Sequence, residues 1–177
     1  MVNSRAIFLI AIVVSAILAR LFPHAPNLAP ITAVALFGGA YLPDRRLALV
    51  VPLAAMLFSD VILGFDLPGV TVTVYASFAL VILLGFWVRQ NRSPLRIGSA
   101  VVAGSILFFV LTNFAVWGFG TIYPHTTAGL VQCYVAALPF FRNTLAGDLS
   151  YTVLLFGGFA LLQRRFPMLR EDAAVDA

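Results

Sequence analysis

The chain has 177 residues, 62% of them hydrophobic, with a mean hydropathy of +1.01 and only 10% charged side chains. An ordinary soluble domain is about a quarter charged, and so much apolar surface cannot be hidden inside a 19.1 kDa globule, so lipid must be the solvent for most of it. The net charge of +4 comes from eleven arginines lying between apolar runs, which reads as a topology signal and excludes a nucleic-acid-binding stripe; the one cysteine, Cys133, excludes an intrachain disulfide and a thiolate metal cluster.

A spanning helix needs about 20 apolar residues. Residues 6–22 supply the first. The opening MVNSRAIFLIAIVVSAILA also has the shape of a signal peptide, but further apolar segments follow it, so it is read as a span. Residues 28–42 are short and must tilt, thin the bilayer or start within it. Residues 47–64, 70–88 and 97–118 give three more spans, and 143–163 the last. The stretch 126–141, TTAGLVQCYVAALPFF, is apolar but short and carries Pro139; it reads as an outer interfacial or re-entrant helix before the last span. The expected fold is therefore an all-α bundle of six transmembrane helices, with residues 1–170 as a single integral membrane domain and 171–177 as a disordered polar tail.

Arginine placement supports that count. Arg5, Arg45, Arg46, Arg89, Arg92, Arg96, Arg164, Arg165 and Arg170 all fall on one side of a six-span chain, leaving Arg20 and Arg142 at helix ends on the other. The positive-inside rule then puts both termini in the cytoplasm, for a multi-pass protein of the bacterial inner membrane.

Polar groups within spans need a partner or a wet cavity. At 1.5 Å per residue, Asp60 and Asp148 lie about 6–8 Å from the outer ends of their spans, and Asn113 is at a similar depth. The stretch 22–30, crowded with three prolines, His24 and Asn27, is an outer loop, as is YPHTT with His125. Two readings follow. In the first, Arg20–Asp60 and Arg142–Asp148 are ion pairs that only hold helices together. In the second, Arg20, Asn27, Asp60, Asn113, Arg142 and Asp148 line an outward-facing cavity whose lip is 22–30, since non-helical backbone at membrane depth is tolerated beside a cavity. His24 and His125 could contact its ligand, and Tyr75 and Trp117 could stack on a ring. No metal or other cofactor is expected: two histidines make a weak metal signal, and Cys133 reads first as a small buried residue.

Ala11, Ser15 and Ala19, spaced by four, form one stripe of small residues, suited to packing within the chain or to docking a partner membrane protein. Gly38 with Gly39, Ala100 with Gly104, and Gly157 with Gly158 also suggest close packing. There is no phosphate-binding G-x-x-x-x-G-K-[ST] loop, no H-E-x-x-H and no G-x-S-x-G, so no enzyme is expected.

The strings RLFPHAPNLAPITAVALFGGAYL, PLAAMLFSD, LTNFAVWGFGTIYP and CYVAALPFFRNTLAGDL resemble an uncharacterised bacterial membrane family that carries only the general label of transport proteins. That family in turn resembles the S components of energy-coupling-factor vitamin transporters. The resemblance implies six helices and capture of a small nutrient, a vitamin or cofactor precursor, at the outer face. It would make Ala11, Ser15 and Ala19 a docking stripe for a coupling membrane protein with ATPase subunits, and 22–30 part of a lid. Some S components for cobalamin work alone, with one cysteine ligating the cobalt, so cobalamin is one candidate substrate; Cys133 lies in the outer stretch before the last span, and the resemblance does not align it with that ligand. The reading is a transport protein with Arg20, His24, Asn27, Asp60, Tyr75, Asn113, Trp117, His125, Arg142 and Asp148 at its pocket. The rivals are a membrane scaffold with structural ion pairs, and a small enzyme pairing Asp60 or Asp148 with His24 or His125.

Overall fold

The computed structural model of the protein describes residues 4–21 and 31–170. His24, Asn27, the proposed lip at 22–30 and the tail at 171–177 lie outside these residues. The described chain is helical, with no strand: α1 Ser4–Leu18 continuing into a 3-10 turn at Ala19–Leu21, α2 Ile31–Tyr41, α3 Arg45–Leu63, α4 Pro68–Gln90, α5 Pro94–Phe119, α6 Thr127–Thr152, a π turn at Val153–Gly157, α7 Gly158–Arg165 and a 3-10 turn at Pro167–Leu169.

The shortest helix sits at the centre. α2 has 11 residues, of which only Ile31 is not buried, and at 1.5 Å per residue it is about 16 Å long, half the thickness of a bilayer core. Its first N–H groups and last carbonyls would be left in hydrocarbon without partners. Each end meets a charge of the right sign. At its start, Asp148 from the middle of α6 accepts from the backbone N–H of Thr32 (3.1 Å) and of Ala33 (3.3 Å). At its end, Arg89 of α4 donates to the carbonyls of Gly39 (2.7 Å from Nη2) and Leu42, and Arg92 donates to that of Ala40 (3.0 Å from Nη2). Anion at the N-terminus and cations at the C-terminus both follow the helix dipole.

A glycine pair lets α2 approach α4. A Cβ on Gly39 would lie 2.4 Å from the Ile82 carbonyl oxygen, and one on Gly85 would lie 2.7 Å from that of Leu36. Gly104 is similarly tight, its missing Cβ 2.7 Å from Thr32 Cγ2, whereas Gly157 and Gly158 have open space beside them and do not mediate close packing. Below this contact Phe37 and Tyr41 of α2 pack on Phe156 and Phe159, with Phe37 edge-on to both rings at 5.4 and 5.6 Å.

The separate outer helix expected at 126–141 does not exist. Thr127–Arg165 is one 39-residue apolar helix that passes through Pro139 and carries the π turn inside it. It runs antiparallel beside α5, with Ser105 opposite Asp148, Phe109 against Phe141, and the Cys133 thiol 3.5 Å from the Asn113 carbonyl. Among the described residues, five helices are long and apolar enough to cross a membrane, and α2 is the short sixth. The second segment is thus a short helix of 11 residues, too short to cross by itself.

Large apolar side chains cover the outside, among them Phe58, Val61, Val72, Leu83, Val110, Val135, Val153 and Leu154. This is the surface of a membrane protein. Ala11 and Ser15 are exposed and Ala19 half-buried, so among the described residues no helix covers Ala11 and Ser15.

Candidate functional site

The described helices border a space near the N-terminus of α2. A cavity of about 320 Å³ lies there. Among the described residues, Ile31 forms its floor, Val70 and Val74 of α4 one wall, Phe108, Phe109, Thr112, Asn113 and Val116 of α5 a second, and Ala137, Phe140, Phe141 and Thr144 of α6 a third. Arg20 and Asp66 supply its charge. A smaller cavity of about 90 Å³ adjoins it, sharing Arg20, Asp66 and Val74 and reaching Asp60 and Tyr75.

Arg20 stands between the two. Its Nη1 lies 3.0 Å from Asp60 Oδ1 and donates to Ser59 Oγ at 2.8 Å. Tyr75 donates to the other Asp60 oxygen at 2.8 Å, and Ser59 donates to the Met56 carbonyl. Both oxygens of Asp60 are thereby occupied, and one edge of the guanidinium is fixed by a polar cluster drawn from α1, α3 and α4. The expected Arg20–Asp60 pair is present, and Tyr75 joins it as a hydrogen-bond donor rather than as a stacking platform.

The other expected ion pair is absent. Arg142 and Asp148 are six residues apart on one helix, which at 100° per residue puts them about 120° from facing the same way. Arg142 is exposed and lines neither cavity. Asp148 is fully buried and faces α2 and α5, accepting also from Ser105 Oγ at 2.7 Å. Its role is to cap α2, beneath the cavity and not in it. Trp117 and His125 are likewise removed from the candidate pocket. Trp117 Nε1 donates to the Pro124 carbonyl at 3.0 Å, its ring meets the edge of His125 at 5.7 Å, and His125 Nε2 is 3.2 Å from the Gly120 carbonyl. Together they pin the loop between α5 and α6. Among the described residues no three His, Cys, Asp or Glu side chains gather as metal ligands.

Arg20, Asp60, Tyr75 and Asn113 are therefore the predicted residues that the fold brings to the cavities. Asp66, Thr112, Thr144 and the four phenylalanines were missed. A signal for most of them was present: FFVLT at 108–112 and FFRNT at 140–144 share the pattern Phe-Phe-x-x-Thr. The pattern sits on two antiparallel helices, and both copies of Phe, Phe and Thr face the same space. An apolar chamber of this kind, with a few polar groups at one end of a helical bundle, is the form of a small-molecule site.

The class is a polytopic helical membrane protein with a cavity at one end. The chain belongs to DUF6580, a family of unknown function whose model matches residues 1–169. No curated protein and no solved structure matches it.

Proposed function

We propose that this protein is an S-component-like transport protein of the bacterial inner membrane, capturing a small nutrient from outside in the cavity beyond α2. The observation that carries the reading is the cavity itself: about 320 Å³, walled by four phenylalanines, with a fixed arginine at its side. That volume is at the lower end of ligand pockets, about 300–1,000 Å³, and suits a molecule of one or two rings. Arg45, Arg46, Arg89, Arg92, Arg96, Arg164, Arg165 and Arg170 lie at or beyond the opposite ends of these helices, which by the positive-inside rule turns the cavity outward and both termini to the cytoplasm. Onward movement would use either a coupling membrane protein with ATPase subunits, seated against the exposed Ala11 and Ser15 face, or a motion of the bundle alone.

Purified protein in lipid nanodiscs, screened by thermal shift against vitamins, cofactor precursors and amino acids, tests the reading. At least one compound should raise the melting temperature saturably. Ala137→Phe, which fills the chamber without touching a charge, should abolish that rise while leaving the ligand-free melt unchanged. A panel with no stabilising compound, or a stabilisation that Ala137→Phe leaves intact, would sink the proposal.

A further inference from the structure

The polar groups of the cavity differ in what they have left to offer. Thr112 Oγ1 donates to the Phe108 carbonyl at 2.7 Å and Thr144 Oγ1 to that of Phe140 at 3.2 Å, each one turn back on its own helix. A hydroxyl has one hydrogen, so both threonines now present only lone pairs to the cavity. Asn113 Nδ2 donates one of its two hydrogens to the Phe109 carbonyl at 2.8 Å, which leaves Oδ1 as an acceptor beside one remaining N–H. Asp66, in the loop between α3 and α4, has a carboxylate with no hydrogen-bond partner among the described residues. Among the described residues four acceptors therefore border the space. Arg20 is the one charged donor among the described residues that line it. Only its Nη1 is engaged, by Asp60 and Ser59, and its Nε and Nη2 hydrogens have no partner among the described residues. Asp60 holds the guanidinium in place from the far side, so its open edge is presented without an ordering cost.

We infer that the cavity selects a zwitterionic, ring-bearing molecule: a carboxylate on the open edge of Arg20, an ammonium or other N–H donor toward Asp66 and the threonine oxygens, and the ring among Phe108, Phe109, Phe140 and Phe141. The inference rests on the capture reading above and names its substrate class. A bare cation would leave the Arg20 edge unpaired, and a bare anion would face an acceptor-lined wall. Each mismatch removes a charge-assisted hydrogen bond, which corresponds to about tenfold or more in affinity.

Four probes with the same ring separate the cases in nanodisc-embedded protein: L-phenylalanine, phenethylamine, 3-phenylpropionate and benzyl alcohol. The zwitterion should bind about tenfold or more tightly than each of the others. Asp66→Asn, in an exposed loop, should bring L-phenylalanine down to the level of 3-phenylpropionate. Arg20→Lys, which keeps the charge facing Asp60 but loses the fork, should bring it toward phenethylamine. Equal binding of all four probes, or a ranking that neither variant alters, overturns the zwitterion assignment and leaves the capture reading standing. So does failure of all four probes when another compound from the screen stabilises the protein through the same cavity. Failure of the probes together with the whole screen removes both.

Discussion

Asp148 shows what a single carboxylate does at this depth. It is fully buried and accepts three hydrogen bonds: two from the opening turn of α2 and one from Ser105. Truncating it would leave two backbone N–H groups and a hydroxyl in an apolar interior, and each stranded polar group costs about 1–3 kcal/mol. Asp148→Ala should therefore lower stability by about 3 kcal/mol or more, whereas Asp148→Asn, which keeps an acceptor, should lose less. Arg142→Gln, at an exposed position without a contact to the cap, should stay within about 0.5 kcal/mol of the parent. Unfolding in mixed micelles measures all three. If Asp148→Ala matched the parent, or if Arg142→Gln fell with it, the cap would not be what holds α2. The same comparison separates this carboxylate from Asp60, whose partners Arg20 and Tyr75 are only partly buried and border a cavity.

At the scale of elements, α2 is the piece on which the others close, and its fit is steric as well as electrostatic. Gly39 and Gly85 meet where a Cβ on either would strike a carbonyl oxygen. Gly39→Ala should push α2 off α4 and cost about 1–3 kcal/mol, as overpacking does. Gly157→Ala, with open space around it, should be neutral or slightly stabilising through helix propensity. Thermal melts followed by size exclusion in detergent would show the contrast, and equal melts would mean that the α2–α4 seam yields. The long apolar helices were legible because a run of apolar residues long enough to span is a direct property of composition. The short second segment was legible for the same reason: its apolar run has too few residues to make a full-length span. The continuity of Thr127–Arg165 was not. Pro139 and the polar run Arg142–Asn143–Thr144 look like a boundary in one dimension, yet a helix of 39 residues carries them without a break. Gly85 was passed over because a lone glycine says nothing of its partner until a second helix is laid against it.

For the whole molecule, the asymmetry between the two ends is what links fold to role. One end carries most of the arginines and the aromatic cluster of Phe37, Tyr41, Phe156 and Phe159; the other carries the cavity, the Arg20–Asp60–Tyr75 cluster and the loop tied by Trp117 and His125. The sequence placed Arg20, Asp60, Tyr75 and Asn113 near one another because depth along a helix can be counted from its ends. It misplaced Arg142, Asp148, Trp117 and His125 because facing direction and loop closure are set by neighbouring helices, which counting does not supply. If the arginine end is cytoplasmic, the cavity opens to the outside, and the sidedness can be read directly. Cys133 is buried, so a Cys133→Ala background leaves no thiol to confuse the labelling. On that background, Ile122→Cys lies exposed in the loop between α5 and α6, and Pro43→Cys lies exposed between α2 and α3. A membrane-impermeant maleimide should label Ile122→Cys in spheroplasts and reach Pro43→Cys only after lysis. The reverse pattern would open the cavity to the cytoplasm, where capture from outside cannot occur, and would turn the site into a release or export chamber. Labelling of both positions from one side would mean that α3, α4 and α5 do not make three passes between them, and the bundle would have to be redrawn.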